Sequence, residues 1–338
     1  RWGPCDFLRC VFIKASIYCN YRKNKGLIQT LPLFARQQTF KKPMKHESGK
    51  ENSMQEISMK GVIDMHVHTN PDLRIRAYDD FELCDAAVRV GARAIVIKTH
   101  LGDTSCRAAL TNHYNRIVHG ENDFTMFGSI TLNRCVGGIN PTAVENSLKL
   151  GAKVVWLPTQ SARNHLLKMN KPTDGCVDMV VDGKVVPEML DVFKLINDFD
   201  AVLGTAHVSP EEAFVVVEAA RKAGVKKVVV THPEWWVVGM SLEDQIRLVK
   251  DYDVILERCF AQNMGGGKYY SNLPDNVELI KAVGYKNVMC DTDGGQTENP
   301  NWEIAMHQYM QYLLDHGIPE DQIRHMTHTI PARLLGIE

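Results

Sequence analysis

The chain has 338 residues, with 39 Lys and Arg against 40 Asp and Glu and a formal charge of −1. That balance excludes a protein built to hold nucleic acid or an anionic membrane surface. At 44% hydrophobic and 23% charged residues the chain is neither disordered nor fibrous, and no run reaches the ~18 consecutive apolar residues that span a bilayer. Nine cysteines without a CxxC pair read as reduced thiols, so the expectation is a cytoplasmic protein that acts on small molecules.

Residues 1–50 carry eleven Lys or Arg against two acids, a balance of +9, while the remainder carries 28 against 38, or −10. This acid-poor leader is compatible with a transit peptide, but Met44, Met54 and Met59 stand just before the first strong strand, and residues 1–58 read more simply as an N-terminal extension without a chemical role. Residues 59–338 then form the functional domain.

From Gly61 onward, β-branched runs alternate with amphipathic stretches. Strands are predicted over 62–66, 94–98, 125–131, 153–157, 201–206, 227–231, 253–257 and 287–291. Helices are predicted over Phe81–Val90, Pro141–Leu150, Pro210–Ala223 and Ser241–Asp251, several closed by a glycine such as Gly91, Gly151 or Gly224. Eight strand–helix units make an α/β fold, a (β/α)8 TIM barrel in a single catalytic domain. One connection is long: residues 177–186 form two alternating runs about Asp182-Gly183, a β-hairpin inserted after strand four, expected over the barrel mouth as a lid or substrate wall, or else as an inert or oligomer-forming insertion. Gly265-Gly-Gly-Lys268 lacks the GxxxxGK[ST] spacing of a phosphate loop and reads as a mobile seventh loop.

Polar residues stand where the apolar runs stop. Strand one contains His66-Val-His68, whose alternation puts both imidazoles on one face; strand five ends at His207, strand six at His232, and strand eight at Asp291-Thr-Asp293. In a closed barrel these termini converge on one mouth. Nitrogen and carboxylate donors in such a cluster suit one or two divalent ions of zinc, manganese, nickel or iron rather than calcium or magnesium, with zinc the first expectation.

HxH on strand one, His on five, His on six and Asp on eight resemble the amidohydrolase superfamily, with its phosphotriesterase-like and TatD-like branches. The likeness runs from Gly61 to Glu338 and includes Thr329-Ile-Pro-Ala-Arg-Leu-Leu-Gly336, similar to that superfamily's NPxxLLG close. KTH at 98–100, VGGINP at 136–141 and DGGQ at 293–296 resemble more closely an uncharacterised family of predicted amidohydrolases. The resemblance implies the barrel, a mono- or binuclear metal centre, hydrolysis of an amide or ester bond, and His66, His68, His207, His232 and Asp293 at metal positions.

Two departures matter. Strand four reads Lys153-Val-Val-Trp-Leu-Pro158 and lacks the bridging Lys or Glu of binuclear members; Lys98, at the end of strand two, is the best substitute, either as a carbamate bridge or as an ammonium facing substrate. The DTD sequence offers two carboxylates, of which Asp293 is favoured because Gly294-Gly295 lets the backbone turn into the mouth, with Asp291 a buried partner one layer down.

The chemistry expected of this set is attack by a hydroxide generated at the metal, with Asp293 relaying the proton to the leaving group. Arg74 and Arg76 are candidates to grip a carboxylate or phosphate, or else surface arginines paired with Asp72, Asp79 or Asp80. His100, Asn133, His165 and Trp235 are further substrate-binding candidates, with Thr159, Arg163 and Trp236 beside them; Glu257 is placed to orient a ligand histidine. The rivals are a metal-dependent decarboxylase or lyase, a phosphoesterase, and a non-catalytic metal-binding scaffold. The expected partner is a small-molecule substrate, with no nucleic acid and no membrane, and homo-oligomerisation is left open.

Overall fold

A computed structural model of the protein describes residues 56–265 and 268–338; residues 1–55 of the expected N-terminal extension lie outside them. Ile57, inside the stretch read as extension, is 2% exposed, packs into the core and donates its amide to Gln311 Oε1 at 3.0 Å, so the barrel takes in at least this residue.

The strands are β1 (Ile63–His68), β2 (Ala94–Lys98), β3 (Thr125–Thr131), β4 (Ala152–Trp156), β5 (Val180–Val181), β6 (Lys184–Val185), β7 (Val202–Gly204), β8 (Val228–Val230), β9 (Ile255–Cys259), β10 (Ala261–Gly265), β11 (Lys268–Ser271) and β12 (Val288–Asp291). The helices are α1 (Asp80–Val90), α2 (Ser105–His119), α3 (Pro141–Lys149), α4 (Arg163–Lys168), α5 (Pro187–Asp198), α6 (Pro210–Lys222), α7 (Leu242–Tyr252), α8 (Leu273–Val283), α9 (Trp302–Asp315), α10 (Glu320–Arg324) and α11 (Ile330–Leu335). Eight strands form one sheet in the order β1-β2-β3-β4-β7-β8-β9-β12, each adjacent pair parallel, with helices between successive strands. This is the (β/α)8 barrel. Its strands are Val- and Ile-rich because both faces are covered, one by the barrel interior and one by helices; β1, β2, β7, β8, β9 and β12 are buried at every position.

Helix ends follow local chemistry. Asp79 and Glu82 form a capping box before α1, Ser209 and Glu212 another before α6, and Ser241 accepts from the Asp244 amide at the start of α7. Gly91 closes α1 in the left-handed conformation at φ 71°.

The seam between first and last strands is closed by side chains as well as backbone. The His68 amide donates to the Gly294 carbonyl at 2.9 Å, while Asp291 Oδ1 accepts from the Met65 amide at 2.8 Å and Asp64 Oδ2 from the Thr292 amide at 3.1 Å. The barrel interior beneath the mouth is filled by Trp156, 1% exposed; a Cβ on Gly204 would come within 2.2 Å of its ring, so the neighbouring strand carries glycine there.

The inserted hairpin forms as expected, with Val180 opposite Val185 and Val181 opposite Lys184. It rests on α6 rather than over the mouth, so the expectation of a lid is corrected: the wall after strand four comes from α4. On either side of the glycine-rich segment β10 and β11 pair antiparallel, Ala261 opposite Ser271 and Gln262 opposite Tyr270, while Gly266 and Gly267 lie outside the described residues. Among the described residues no helix is long and apolar enough to cross a membrane, and the described cysteines carry free thiols.

Candidate functional site

Three strand ends break out of extended geometry where the polar residues begin. Ala206, His232 and Asp293 adopt left-handed backbone at φ 53°, 27° and 45°, conformations unfavourable to residues with a Cβ and retained where the surroundings over-determine them. Threonines supply that determination. Thr231 Oγ1 accepts from the Ala206 amide and Thr205 Oγ1 from the Thr231 amide, each at 3.0 Å; Thr292 Oγ1 accepts from the Gly294 amide at 3.0 Å and donates to Asp64 Oδ2 at 2.6 Å. The small side chain between apolar run and polar residue is therefore part of how the site is presented.

The polar residues meet at the bottom of the mouth. Asp293 Oδ1 lies 3.2 Å from both His66 Nε2 and His68 Nε2, and Lys98 Nζ lies 3.0 Å from His66 Nε2 and 4.4 Å above the Trp156 ring. The His232 ring centre is 5.9 Å from that of His66 and 5.2 Å from that of His207. It stacks on Trp235 at 4.2 Å. His207 Nδ1 faces His165 Nδ1 at 2.7 Å, so a single proton lies between the two rings. Below, Glu257 Oε1 sits 3.2 Å from His66 Nδ1, the other face of that imidazole. Asp293, not Asp291, is the carboxylate against the histidines; Asp291 Oδ1 accepts from the Met65 amide across the β1 seam.

Several of these groups are buried without a hydrogen-bond partner: both nitrogens of His232, and Asp293 Oδ1. An unsatisfied buried polar group costs ~1–3 kcal/mol, and a native site keeps such groups when something else satisfies them. His66, His68 and Asp293 offer ligand atoms within 4.8 Å of one another. Imidazole nitrogens with one carboxylate fit a borderline divalent ion such as zinc, and Asp293 Oδ1 is both an orphaned atom and a member of that cluster. A second cluster, His66 with Glu257 and Cys259, lies deeper, but burial and neighbouring carboxylates push the Cys259 thiol well above its ordinary value, which disfavours the thiolate a metal needs.

Burial lowers the histidines, His66 and His207 well below their ordinary range and His232 to about 3, so all three are neutral and free to donate a lone pair. Burial also pulls Lys98 down. Burial alone would raise Asp293, but His66, His68 and Lys98 hold its carboxyl well below the usual carboxylate range. Glu257 is pushed up, chiefly by burial.

Above this floor opens a cavity of about 430 Å³. Lys98, His68, His207 and Asp293 reach it from below; Arg74, Arg76, His100, His165, Met169, Trp235 and Trp236 stand around it. His100 Nδ1 is tied to Thr159 Oγ1 at 2.9 Å and Trp236 Nε1 to the Asn263 carbonyl at 2.9 Å. Asn133 is the exception among the substrate-binding candidates. Its amide donates to the His100 carbonyl and Thr159 Oγ1 and accepts from the Thr159 and Ser161 amides. It is a strut between the loops after β3 and β4 and lies outside the cavity lining. Arg163 likewise turns to Asp178 at 2.6 Å.

Sequence reasoning treated Asp72 only as a surface partner. Its side chain is buried, accepts from Thr99 Oγ1 at 2.9 Å, ion-pairs with Arg76 and lies 3.4 Å from His68 Nδ1. The signal available was its place four residues after His68. Leu73, Gln160, Met169, Val237 and Asn263 also line the cavity and carry no motif, and Gln296, the last residue of DGGQ, lines it too.

The strand ends of the (β/α)8 barrel thus bring the histidines, Lys98 and Asp293 together at one mouth. The chain belongs to the family described as "Family of unknown function (DUF6282)", whose model matches residues 61–257 and so includes every site histidine and Lys98 but not Asp293. No curated protein sequence matches. Among solved structures the chain resembles an amidohydrolase from Pseudomonas aeruginosa at 14% identity, covering 82% of this chain and 95% of that one with a TM-score of 0.57. It resembles an organophosphorus hydrolase from Deinococcus radiodurans at 12% identity, covering 82% and 93%, with a TM-score of 0.52. It is also similar to dipeptidase AC, described as a metallo peptidase, at 10% identity, covering 82% and 98%, with a TM-score of 0.55. At these identities the likeness establishes the fold.

Proposed function

We propose that the protein is a metal-dependent hydrolase that cleaves an amide, ester or lactone bond of a small molecule. The observation that carries this reading is the floor of the cavity, where His66, His68, His232 and Asp293 converge with buried atoms lacking partners. His207 and Lys98 stand at the same floor and complete the set. A divalent cation there, with zinc the best match to the donors, supplies Lewis acidity to the scissile group and to water. The hydrolase names of the resembling structures support the same reaction class.

The chain's own residues do the rest. Asp293, held ionised at neutral pH, is the group suited to take a proton from attacking water and return it to the leaving group. Glu257 holds the His66 ring from behind through Nδ1. Trp235, Trp236 and Met169 give the substrate an apolar wall and narrow the water-filled volume. A cavity of about 430 Å³ suits a small molecule rather than a folded partner.

Asp293→Asn should lower kcat by ~10²–10⁴-fold on whichever amide, ester or lactone the wild type hydrolyses. The check is turnover against metal content in the same preparation: near-normal kcat with metal bound would remove Asp293 from proton transfer.

A further inference from the structure

We propose that Arg76 is the anchor for a carboxylate on the substrate, so that the protein takes acids with an apolar body; this rests on the cavity above being the active site. The two arginines of the first loop look alike in sequence and differ in the structure. Arg74 lies on the rim, its side chain 41% exposed and paired with Glu298 at 3.2 Å. Arg76 has a side chain 1% exposed, forms part of the cavity lining, and is held by Asp72 through Nε and Nη2.

That hold leaves Nη1 buried without a partner. Asp72 has no capacity left for it: Oδ1 accepts from Thr99 Oγ1 and the Leu73 amide, and Oδ2 faces Arg76 and His68. The residue is also fixed at its backbone, where Asn70 Oδ1 accepts from the Arg76 amide at 3.0 Å and Asn70 Nδ2 donates to the Arg76 carbonyl at 2.9 Å. The other fully buried guanidinium, Arg258, shows the ordinary outcome: it is shared among Asn276, Glu234 and Gln245 and leaves no orphaned nitrogen. A rigid guanidinium that lines a small-molecule cavity and keeps one nitrogen unpaired is a preorganised receptor for an oxyanion.

The count of donors selects the anion. A phosphate dianion calls for several charge-assisted donors, whereas Arg76 offers one open nitrogen, Arg74 is engaged at the rim and Lys98 lies in the ligand cluster. A monoanionic carboxylate matches. Leu73, Met169, Trp235 and Trp236 supply the apolar surface for the body attached to it.

The test is calorimetric titration of the full-length chain with phenylacetate, phenylacetamide and phenylphosphonate, before and after chelation of metal. Phenylacetate should bind in both states, with phenylacetamide at least tenfold weaker. Arg76→Gln and the charge-balanced double variant Asp72→Asn/Arg76→Gln should bring phenylacetate down to the level of the amide; the double variant guards against misfolding caused by an unpaired Asp72, with near-ultraviolet circular dichroism as the check. Equal binding of acid and amide, unchanged affinity in a folded Arg76 variant, or loss of phenylacetate binding on chelation would overturn the proposal. Arg76-dependent binding of phenylphosphonate tighter than that of phenylacetate would also overturn it and assign a phosphate. Because the readout is binding without turnover and extends to metal-free protein, it stands or falls separately from the hydrolase reading.

Discussion

His165 and His207 meet nitrogen to nitrogen at 2.7 Å with rings 5° from parallel. If His207 is to offer Nε2 to a cation, its Nδ1 must carry the shared proton and His165 must accept it, so His165 sets the tautomer of its neighbour. Truncation to His165→Ala should weaken metal affinity by ~10–100-fold, the range found for groups that orient ligands, measured by competition with a chromogenic chelator. Unchanged affinity would make His165 a cavity wall and nothing more. At this scale the sequence was informative wherever a polar residue ended an apolar run: His66, His68, His207, His232 and Asp293 are all brought to the cavity floor. It was uninformative where a role depends on which partner a loop residue finds. Arg74 and Arg76 differ by a two-residue offset that decides between rim and interior, and Asn133 was drawn into a strut because its amide could satisfy four loop groups at once.

At the scale of elements, the first and last barrel strands depend on the glycines after Asp293. Gly295 has φ 95°, and a Cβ there would lie 1.8 Å from the His68 carbonyl oxygen. Gly295→Ala must therefore push apart the two strands that carry His66, His68 and Asp293, with a destabilisation above ~2 kcal/mol expected from strain at a backbone position that has no room to relax. Urea unfolding checks this; a shift below ~0.5 kcal/mol would show that the DGGQ turn adapts. The barrel strands were legible because period and length agree with buried parallel strands, and the 177–186 hairpin because Asp182-Gly183 suits a tight turn. Where that hairpin would rest was not legible. Its docking on α6, and the use of α4 as the mouth wall, depend on packing between segments far apart in the chain.

For the whole molecule, the buried histidines make stability depend on acid. His165 is pushed down to about 4 from an ordinary 6.5, chiefly by burial. In the pH window between these values the unfolded chain binds the proton and the folded chain does not, so the His165 contribution is complete above pH 6.5 and is lost as pH falls toward 4. Carboxyls raised by burial, such as Asp64 at about 6, act in the opposite direction. The clean comparison is therefore a variant: chelated His165→Gln should lose less Tm than chelated wild type between pH 7 and pH 5, and an equal or larger loss would contradict the assignment.

A divalent metal at the strand ends of this barrel underlies every role assigned to the site. Elemental mass spectrometry of purified wild type, His66→Ala and Lys98→Ala, each expressed in metal-replete medium and checked for fold, tests it most directly. Wild type should carry at least one metal per chain, lost in His66→Ala, with a second equivalent that falls in Lys98→Ala if Lys98 bridges two ions. A metal-free wild type, or a folded His66→Ala with undiminished metal, would contradict it.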